Sequence, residues 1–222
     1  MIPKIIHYVW VGGKPLTPLA RRCIASWEKH LPDYQLKLWN ESSLPVEVME
    51  HPYVQAMYEQ KKWAFVSDYI RFWALKNEGG IYFDTDTEVL KSFDDLLEHD
   101  VFFGKSKDGF VAAGVIGTVP EHQVIQDILN VYNDDKVFST QRTSPRTVTD
   151  VLERNSYPDV VVYDYQYFNP CNDGEKCTLE KLSLAYTNNH WAESWVSYAK
   201  LRKLLRRYGI ISIIKKSLES QS

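Results

Sequence analysis

The chain has 222 residues, 44% of them hydrophobic and 25% charged, which is typical of one soluble globular domain that buries its own core. The formal net charge is −3, but residues 195–222 carry seven Lys or Arg against one acidic residue, so the rest of the chain is acidic. That acidic body argues against a nucleic-acid partner. No stretch has the length of a membrane-spanning helix or the pattern of a signal peptide.

The cysteines bear on metal binding and on redox compartment. Cys23, Cys171 and Cys177 form no C-x-x-C pair, so a thiolate zinc site is not expected. Cys171 and Cys177 could bridge a small loop, but three scattered cysteines fit a reducing compartment better. We therefore expect a cytoplasmic protein.

The first half of the chain alternates between strand-like and helix-like patterns. In chain order it predicts a strand at 5–11, a helix at 18–30, a strand at 35–39, a helix at 47–58 interrupted by Pro52, a helix at 63–77 and a strand at 81–83. Gly12-Gly13 ends the first strand and Gly79-Gly80 stops the long helix.

The second half continues the same alternation. It predicts strands at 101–104 and 110–118, helices at 120–132 and 144–153, a strand at 160–163, and a helical tail from 195 that is broken near Gly209. Strands alternating with helices indicate an α/β fold with a mostly parallel sheet, in which ligands bind at the carboxyl ends of strands. Trp10 and Asp84 both lie at such ends, so a shared crevice is expected.

Asp84-Thr85-Asp86 directly follows a predicted apolar strand. Two carboxylates at positions i and i+2 of a turn can converge on one divalent cation, and Mg²⁺ and Mn²⁺ prefer oxygen ligands shared with phosphates. By itself a D-x-D pattern is also that of a solvated acidic turn.

The residues of the preceding helix support the interpretation of the turn at 84–86 as part of a functional site. In the segment 65–73 the apolar positions form one stripe, while Ser67, Asp68 and Arg71 fall together on another face. The same helix leads through Gly79-Gly80 into the strand before Asp84, so the Asp68–Arg71 pair is expected to pack beside the carboxylates. Both groups could hydrogen-bond strongly to sugar hydroxyls there; the alternative is an ordinary surface ion pair.

The compound string S-D-x-x-R, then L, then G-G-I-Y-x-D-x-D resembles glycosyltransferase family 32. The resemblance extends to the opening I-P-K-I-I-H-Y-V-W-V-G-G, to Ser26-Trp27, Pro32-x-Tyr34 and Trp39, and to the late stretch H-W-x-x-S-W at 190–195. It covers residues 2–95 well and 185–195 moderately. Residues 100–185 show little similarity, and acceptor specificity is expected there.

The resemblance implies a GT-A fold, a nucleotide-sugar-binding α/β domain centred on the D-x-D. It would comprise residues 1–194, with a basic helical tail at 195–222. The resemblance also implies that Trp10 stacks on the nucleotide base, that Ser67 lies near the ribose, and that Asp68 and Arg71 contact the donor sugar.

The remaining roles implied by the resemblance concern the metal and the diphosphate. Asp84 and Asp86 would serve the sugar, the ribose and a Mn²⁺ or Mg²⁺ ion. His190 would complete the metal site, with Ser194 and Trp195 on the diphosphate. Asp84, Asp86, Asp68 and Arg71 are accordingly the candidate catalytic residues; an ordinary structural histidine is the alternative for His190.

Together, these roles imply a metal-dependent hexosyltransferase that retains the anomeric configuration of the transferred sugar. The donor would be a nucleotide sugar, with UDP favoured, and the acceptor a saccharide or a lipid-linked saccharide in surface polysaccharide synthesis. The route stays open between front-face displacement and a covalent intermediate. A sugar-binding protein without turnover is an alternative, and so is a D-x-D phosphohydrolase, although Glu88 departs from the D-x-D-x-[TV] pattern of that class.

The basic tail has two interpretations. Leu201, Leu204, Leu205 and Tyr208 recur at helical spacing among Lys and Arg residues, which suits peripheral docking on the anionic inner face of a membrane. The same apolar stripe could equally pack on the catalytic domain and leave the charges in solvent.

Overall fold

The structure, a computed structural model, describes residues 1–133, 143–171 and 175–192. The predicted tail at 195–222, with its proposed domain boundary, lies outside these residues. No helix in the described part is both long enough and apolar enough to cross a membrane.

A six-stranded sheet forms the centre of the molecule. Its strands are β1 (Ile5–Val9), β2 (Gln35–Trp39), β3 (Gly80–Phe83), β5 (Val101–Lys105), β6 (Val111–Thr118) and β7 (Val160–Tyr163), in the order β2-β1-β3-β6-β5-β7. The pairs β1–β2, β1–β3 and β5–β7 are parallel, whereas β6 is antiparallel to both of its neighbours. The expected α/β fold with a mostly parallel sheet is therefore confirmed.

Helices cover the sheet and create two hydrophobic cores. They are α1 (Pro18–His30), α2 (Val46–Met49), α3 (Pro52–Glu59), α4 (Trp63–Glu78), α5 (Gln123–Val131), α6 (Ser144–Arg154), α7 (Tyr165–Phe168) and α8 (Leu179–Leu184), with a 3₁₀ turn at Asp94–Leu96. In the core that contains Phe72, helices α3, α4, α5 and α6 pack against the sheet. In the core that contains Trp27, helices α1 and α7 pack against it. Burial of these apolar side chains is the main source of stability.

A second, two-stranded sheet lies beside the first. Its strands β4 (Thr87–Val89) and β8 (Thr187–Asn189) pair antiparallel, with Thr87 opposite Asn189. This pairing brings the chain after β8 next to the turn that follows β3. Neither strand was predicted from the sequence, because each has only three residues and no alternating pattern long enough to detect.

Several predicted boundaries shift for local reasons. The first strand ends at Val9 rather than at 11. Pro52 opens α3 at its first turn, so the segment 47–58 forms two helices instead of one. The helix predicted at 120–132 begins at Gln123, because Glu121 has φ +56° and the side chain of His122 accepts from the N–H of Val124.

The cysteines differ from the favoured expectation. Cys171 and Cys177 form a disulfide, with their Cα atoms 5.8 Å apart. Cys23 is free and buried, and burial raises the pKa of its thiol to about 12. The bridge leaves one free thiol in the chain, so cysteine usage no longer supports a reducing compartment.

Candidate active site

Asp84 lies where β3 ends, and main-chain hydrogen bonds fix the turn that contains it. The N–H of Asp84 donates to the carbonyl of Gly114 on β6 at 2.9 Å. The carbonyl of Asp84 accepts from the N–H of Thr87 at 2.9 Å, which closes the turn into β4. The two carboxylates of the D-x-D are therefore held at the carboxyl end of a central strand, as predicted.

Arg71 connects this turn to helix α4. Its guanidinium lies 2.8 Å from the carboxylate of Asp68 and 3.3 Å from that of Asp84, and its side chain is only 5% exposed. It also donates to the carbonyl of Ala113 at 2.6 Å. Burial disfavours its charge, but the Asp84 and Asp68 carboxylates outweigh that effect and raise the pKa of Arg71. The predicted packing of the Asp68–Arg71 pair beside Asp84 is thus observed.

Tyr82 is a further partner of Asp84 that the sequence did not reveal. Its hydroxyl donates to Oδ1 of Asp84 at 2.9 Å, and the guanidinium of Arg71 lies over its ring at 4.6 Å from the centroid. Oδ1 of Asp84 is therefore oriented from two sides. The only available signal was the spacing of two residues between Tyr82 and Asp84 on one strand face.

Asp68 has a second role at the start of α6. Its carboxylate accepts hydrogen bonds from the hydroxyl and the backbone N–H of Ser144. Burial raises the pKa of Asp68, while Arg71 and Ser144 oppose that shift. The side chain predicted to touch the donor sugar therefore also holds α6 against α4.

Asp86 is held by the chain that follows β8. Its Oδ2 accepts from the N–H of Ala192 at 2.7 Å, and its carbonyl accepts from the N–H of His190 at 3.0 Å. Burial and the negative charge of Asp84 raise the pKa of Asp86. Because the donor is a main-chain amide 106 residues away, the sequence carried no signal for it.

The imidazole of His190 binds Glu88 rather than an aspartate of the D-x-D. Its Nε2 lies 2.7 Å from Oε2 of Glu88 and 3.4 Å from a guanidinium nitrogen of Arg22. Across residues 1–133, 143–171 and 175–192, no three His, Cys, Asp or Glu side chains converge as a metal-binding group. A metal-binding role for His190 stays a prediction.

The two aspartates fit a divalent cation by their chemistry. Both offer hard oxygen ligands, and burial together with the negative charge of Asp84 raises the pKa of Asp86. A cation between them would relieve that repulsion. Asp84 and Asp86 are therefore the residues that would hold Mn²⁺ or Mg²⁺, with phosphate and water completing the coordination.

Trp10 lies at the end of β1, on the other side of β3 from β6. It is half-buried, and its indole N–H donates to the carbonyl of Lys14 at 2.6 Å. The neighbouring Gly12 donates to the carboxylate of Glu41 at 2.6 Å and leaves no room for a side chain, because a Cβ there would lie 2.7 Å from the ring of Trp63. Glu41 and Trp63 were not predicted as parts of this region.

The hydroxyl of Ser67 connects two parts of helix α4 by hydrogen bonds. It donates to the carbonyl of Ala64 at 2.7 Å and accepts from Arg71 at 3.2 Å. The structure thus brings Ser67, Asp68, Arg71 and Asp84 into one network. Ser194 and Trp195, predicted to bind the diphosphate, lie outside the described residues.

An open cleft of about 750 Å³ begins at Asp84 and extends over β6. Ala112, Ala113 and Gly114 form its floor, the turn 106–110 and the start of α6 flank it, and Asn189 and Trp191 line it from the chain near β8. A cleft of this volume accommodates a ligand of sugar size or larger. A methyl group on Gly114 would lie 2.8 Å from Oδ2 of Asp84, so the small floor keeps that carboxylate accessible.

Comparison with known proteins defines the class. Residues 18–103 match the glycosyltransferase sugar-binding region containing the DXD motif. The chain is 20% identical to the solved PaToxG glycosyltransferase, with a TM-score of 0.56 over 69% of each chain. The resemblance seen in the sequence is thereby confirmed: residues 18–103 match the DXD region of glycosyltransferases, and the chain has the GT-A fold of the solved glycosyltransferases.

Two related proteins are similar to this chain over different shares of its length. The chain is 29% identical to an uncharacterized glycosyltransferase of Acanthamoeba polyphaga mimivirus, over 92% of this chain and 88% of that protein. It is 30% identical to mannosyl phosphorylinositol ceramide synthase CSH1 of Saccharomyces cerevisiae, over 55% of this chain and 33% of the yeast protein. The chain thus spans about a third of the yeast relative.

Proposed function

We propose that this protein is a metal-dependent, retaining hexosyltransferase that uses a nucleotide-sugar donor, with UDP as the favoured nucleotide. The observation that carries the proposal is the buried network in which Arg71 joins Asp68 to Asp84 beside an open cleft. A yeast relative is named mannosyl phosphorylinositol ceramide synthase, which supports a hexose as the transferred unit. For that reason GDP-mannose is a second donor to test.

The described side chains divide the reaction between them. Trp10 would stack on the base, and Ser67, Asp68 and Arg71 would orient the ribose and the sugar. A cation held by Asp84 and Asp86 would neutralise the diphosphate leaving group. The ion pair with Arg71 and the hydrogen bond from Tyr82 hold the carboxylate of Asp84 in place before the donor arrives.

The acceptor and the cellular role are further parts of this proposal. We propose a saccharide or lipid-linked acceptor used in surface polysaccharide synthesis. A tail at 195–222 that docks on an anionic membrane would serve a lipid-linked acceptor. Co-sedimentation with anionic vesicles, comparing the full chain with one that ends at Ala199, tests the docking: loss of pelleting on truncation supports it, and equal behaviour of both chains contradicts it.

The central experiment measures donor hydrolysis and donor binding across UDP- and GDP-hexoses with Mn²⁺. We expect the wild-type protein to release nucleoside diphosphate from at least one donor and to lose that activity in EDTA. D84N and D86N should abolish Mn²⁺-dependent donor binding, because each removes one charged ligand, while circular dichroism stays unchanged. D108N, which changes a carboxylate of the cleft turn outside the D-x-D, is the control for Mn²⁺ dependence. Turnover by D84N and D86N in chelator-treated buffer would refute the metal assignment.

A further inference from the structure

Among the described residues assigned to the donor site, Asp84 is the one that lines the cleft, so the part beyond Asp84 has no ligand assigned to it. Phe110 directly precedes β6 and lies four residues from Gly114, which is about 13 Å at the rise of an extended chain. Trp10 lies on the opposite side of β3. The cleft therefore has room for a second ligand next to the donor sugar, and a transferase requires one.

Arg146 is the cation that stands out in this outer part. It lies in the first turn of α6, its side chain is exposed, and it lines the cleft. Among the ion pairs between described residues, none involves Arg146. Ser144, two positions earlier, is bound to Asp68, so this turn of α6 is anchored rather than free.

A second cation lines the same cleft. Lys107 lies 3.0 Å from the carboxylate of Glu175, and Lys181 pairs with that same carboxylate. Two ammonium groups thus contact the one carboxylate of Glu175. The acidic residue of this turn, Asp108, accepts a hydrogen bond from the hydroxyl of Ser106.

Aromatic side chains complete the outer part. Phe110 is 40% exposed and lines the cleft. The indole N–H of Trp191 donates to the carbonyl of Cys171 at 2.8 Å, so its ring is fixed where it lines the cleft. Aromatic faces of this kind pack against the C–H surfaces of hydroxylated rings.

We propose that the outer cleft binds the acceptor, that the acceptor carries a phosphate group next to its hydroxylated ring, and that Arg146 binds this phosphate. The inference rests on the proposed function, since it assumes a donor sugar at Asp84. A guanidinium matches the geometry of a phosphate through two parallel hydrogen bonds, which a single ammonium does not. Lys107 adds charge, and Phe110 and Trp191 contact the ring.

The test compares two matched pairs of acceptors with the full chain, Mn²⁺ and the donor found by hydrolysis. The soluble pair is mannose 6-phosphate against mannose. The lipid pair is phosphatidylinositol against glucosylceramide, each in phosphatidylcholine vesicles. The variant is R146A, and the matched control is R154A, an exposed arginine in the last turn of the same helix.

We expect the wild-type protein to prefer the phosphate member of at least one pair, and the pair that responds identifies a soluble or a lipid source. R146A should lower kcat/KM for that member by about 10- to 100-fold and for the neutral member far less, since a hydrogen bond between charged groups is lost. R154A should keep the wild-type ratio.

Four results would overturn the inference. They are equal use of both members by the wild-type protein, an equal loss for both members in R146A, a rise in donor KM as the main effect of R146A, and donor hydrolysis with transfer to none of the four acceptors. If none of the nucleotide sugars were hydrolysed, that result would instead contradict the proposed function itself.

Discussion

Removing the guanidinium of Arg71 should destabilise the fold as well as the site. The R71M variant leaves the carboxylates of Asp68 and Asp84 without their cation and removes the donor to the carbonyl of Ala113. Breaking a buried ion pair by removing one partner costs about 3–5 kcal/mol. The side chain of Asp68 is 9% exposed, whereas that of Asp84 is 33% exposed and can be hydrated. We therefore expect a loss near the lower end, about 3 kcal/mol.

Urea unfolding followed by circular dichroism measures this loss as a change in the free energy of unfolding. R154M, at an exposed position on α6, is the matched control and should stay within about 0.5 kcal/mol of the wild-type protein. The double variant D68N/R71M removes the stranded charge and should recover about 1 kcal/mol relative to R71M. R71K keeps the charge and covers the case in which R71M does not fold.

The reasoning would be refuted if R71M unfolded within 1 kcal/mol of the wild-type protein, or if D68N/R71M were no more stable than R71M. The first result would mean that water replaces the guanidinium at little cost. The second would mean that Asp68 is protonated in the folded protein and needs no cation.

Three further predictions concern single side chains. W10A should weaken binding of free nucleoside diphosphate by about 1–3 kcal/mol in calorimetry, and an unchanged affinity would remove Trp10 from the base site. G114A should lower donor turnover by about 100-fold with an unchanged circular dichroism spectrum, because its methyl group displaces Asp84; normal turnover would show that the strand yields. The buried His7 donates from Nε2 to the carbonyl of Gly79 and accepts at Nδ1 from the indole N–H of Trp39, so its ring is neutral, and burial lowers its pKa. Since the unfolded chain binds that proton more readily, stability present above pH 6.5 should fall as the pH drops below it, by up to about 1.4 kcal/mol per pH unit, and the H7Q variant should show a flatter dependence.

Local patterns were sufficient to predict the central part of the fold. Helix α4 and strand β3 are consecutive in the chain, so the face that carries Asp68 and Arg71 and the turn that carries Asp84 could be placed together from spacing alone. The end of helix α4 at Gly79 could also be predicted, since the φ of +63° at this position is a conformation that glycine adopts without strain.

Contacts between distant segments could not be predicted in this way. The antiparallel direction of β6, the pairing of β4 with β8 and the amide of Ala192 on Asp86 all depend on chain reversals that leave no periodic signal. Asp68 was assigned to the sugar from its helix face, but its bond to Ser144 appears only when α6 is in place. The pairing of His190 with Glu88 has the same origin.

The pairing of β4 with β8 also has a consequence for synthesis of the protein. Residues 18–103 contain the whole DXD region, yet the amide that holds Asp86 comes from position 192. A nascent chain that has reached β7 can already pair every strand of the central sheet, while the turn at 84–86 still lacks this support. The turn at 84–86 therefore gains this support only after Ala192 has left the ribosome, and a chain that terminates before Thr187 would lack it.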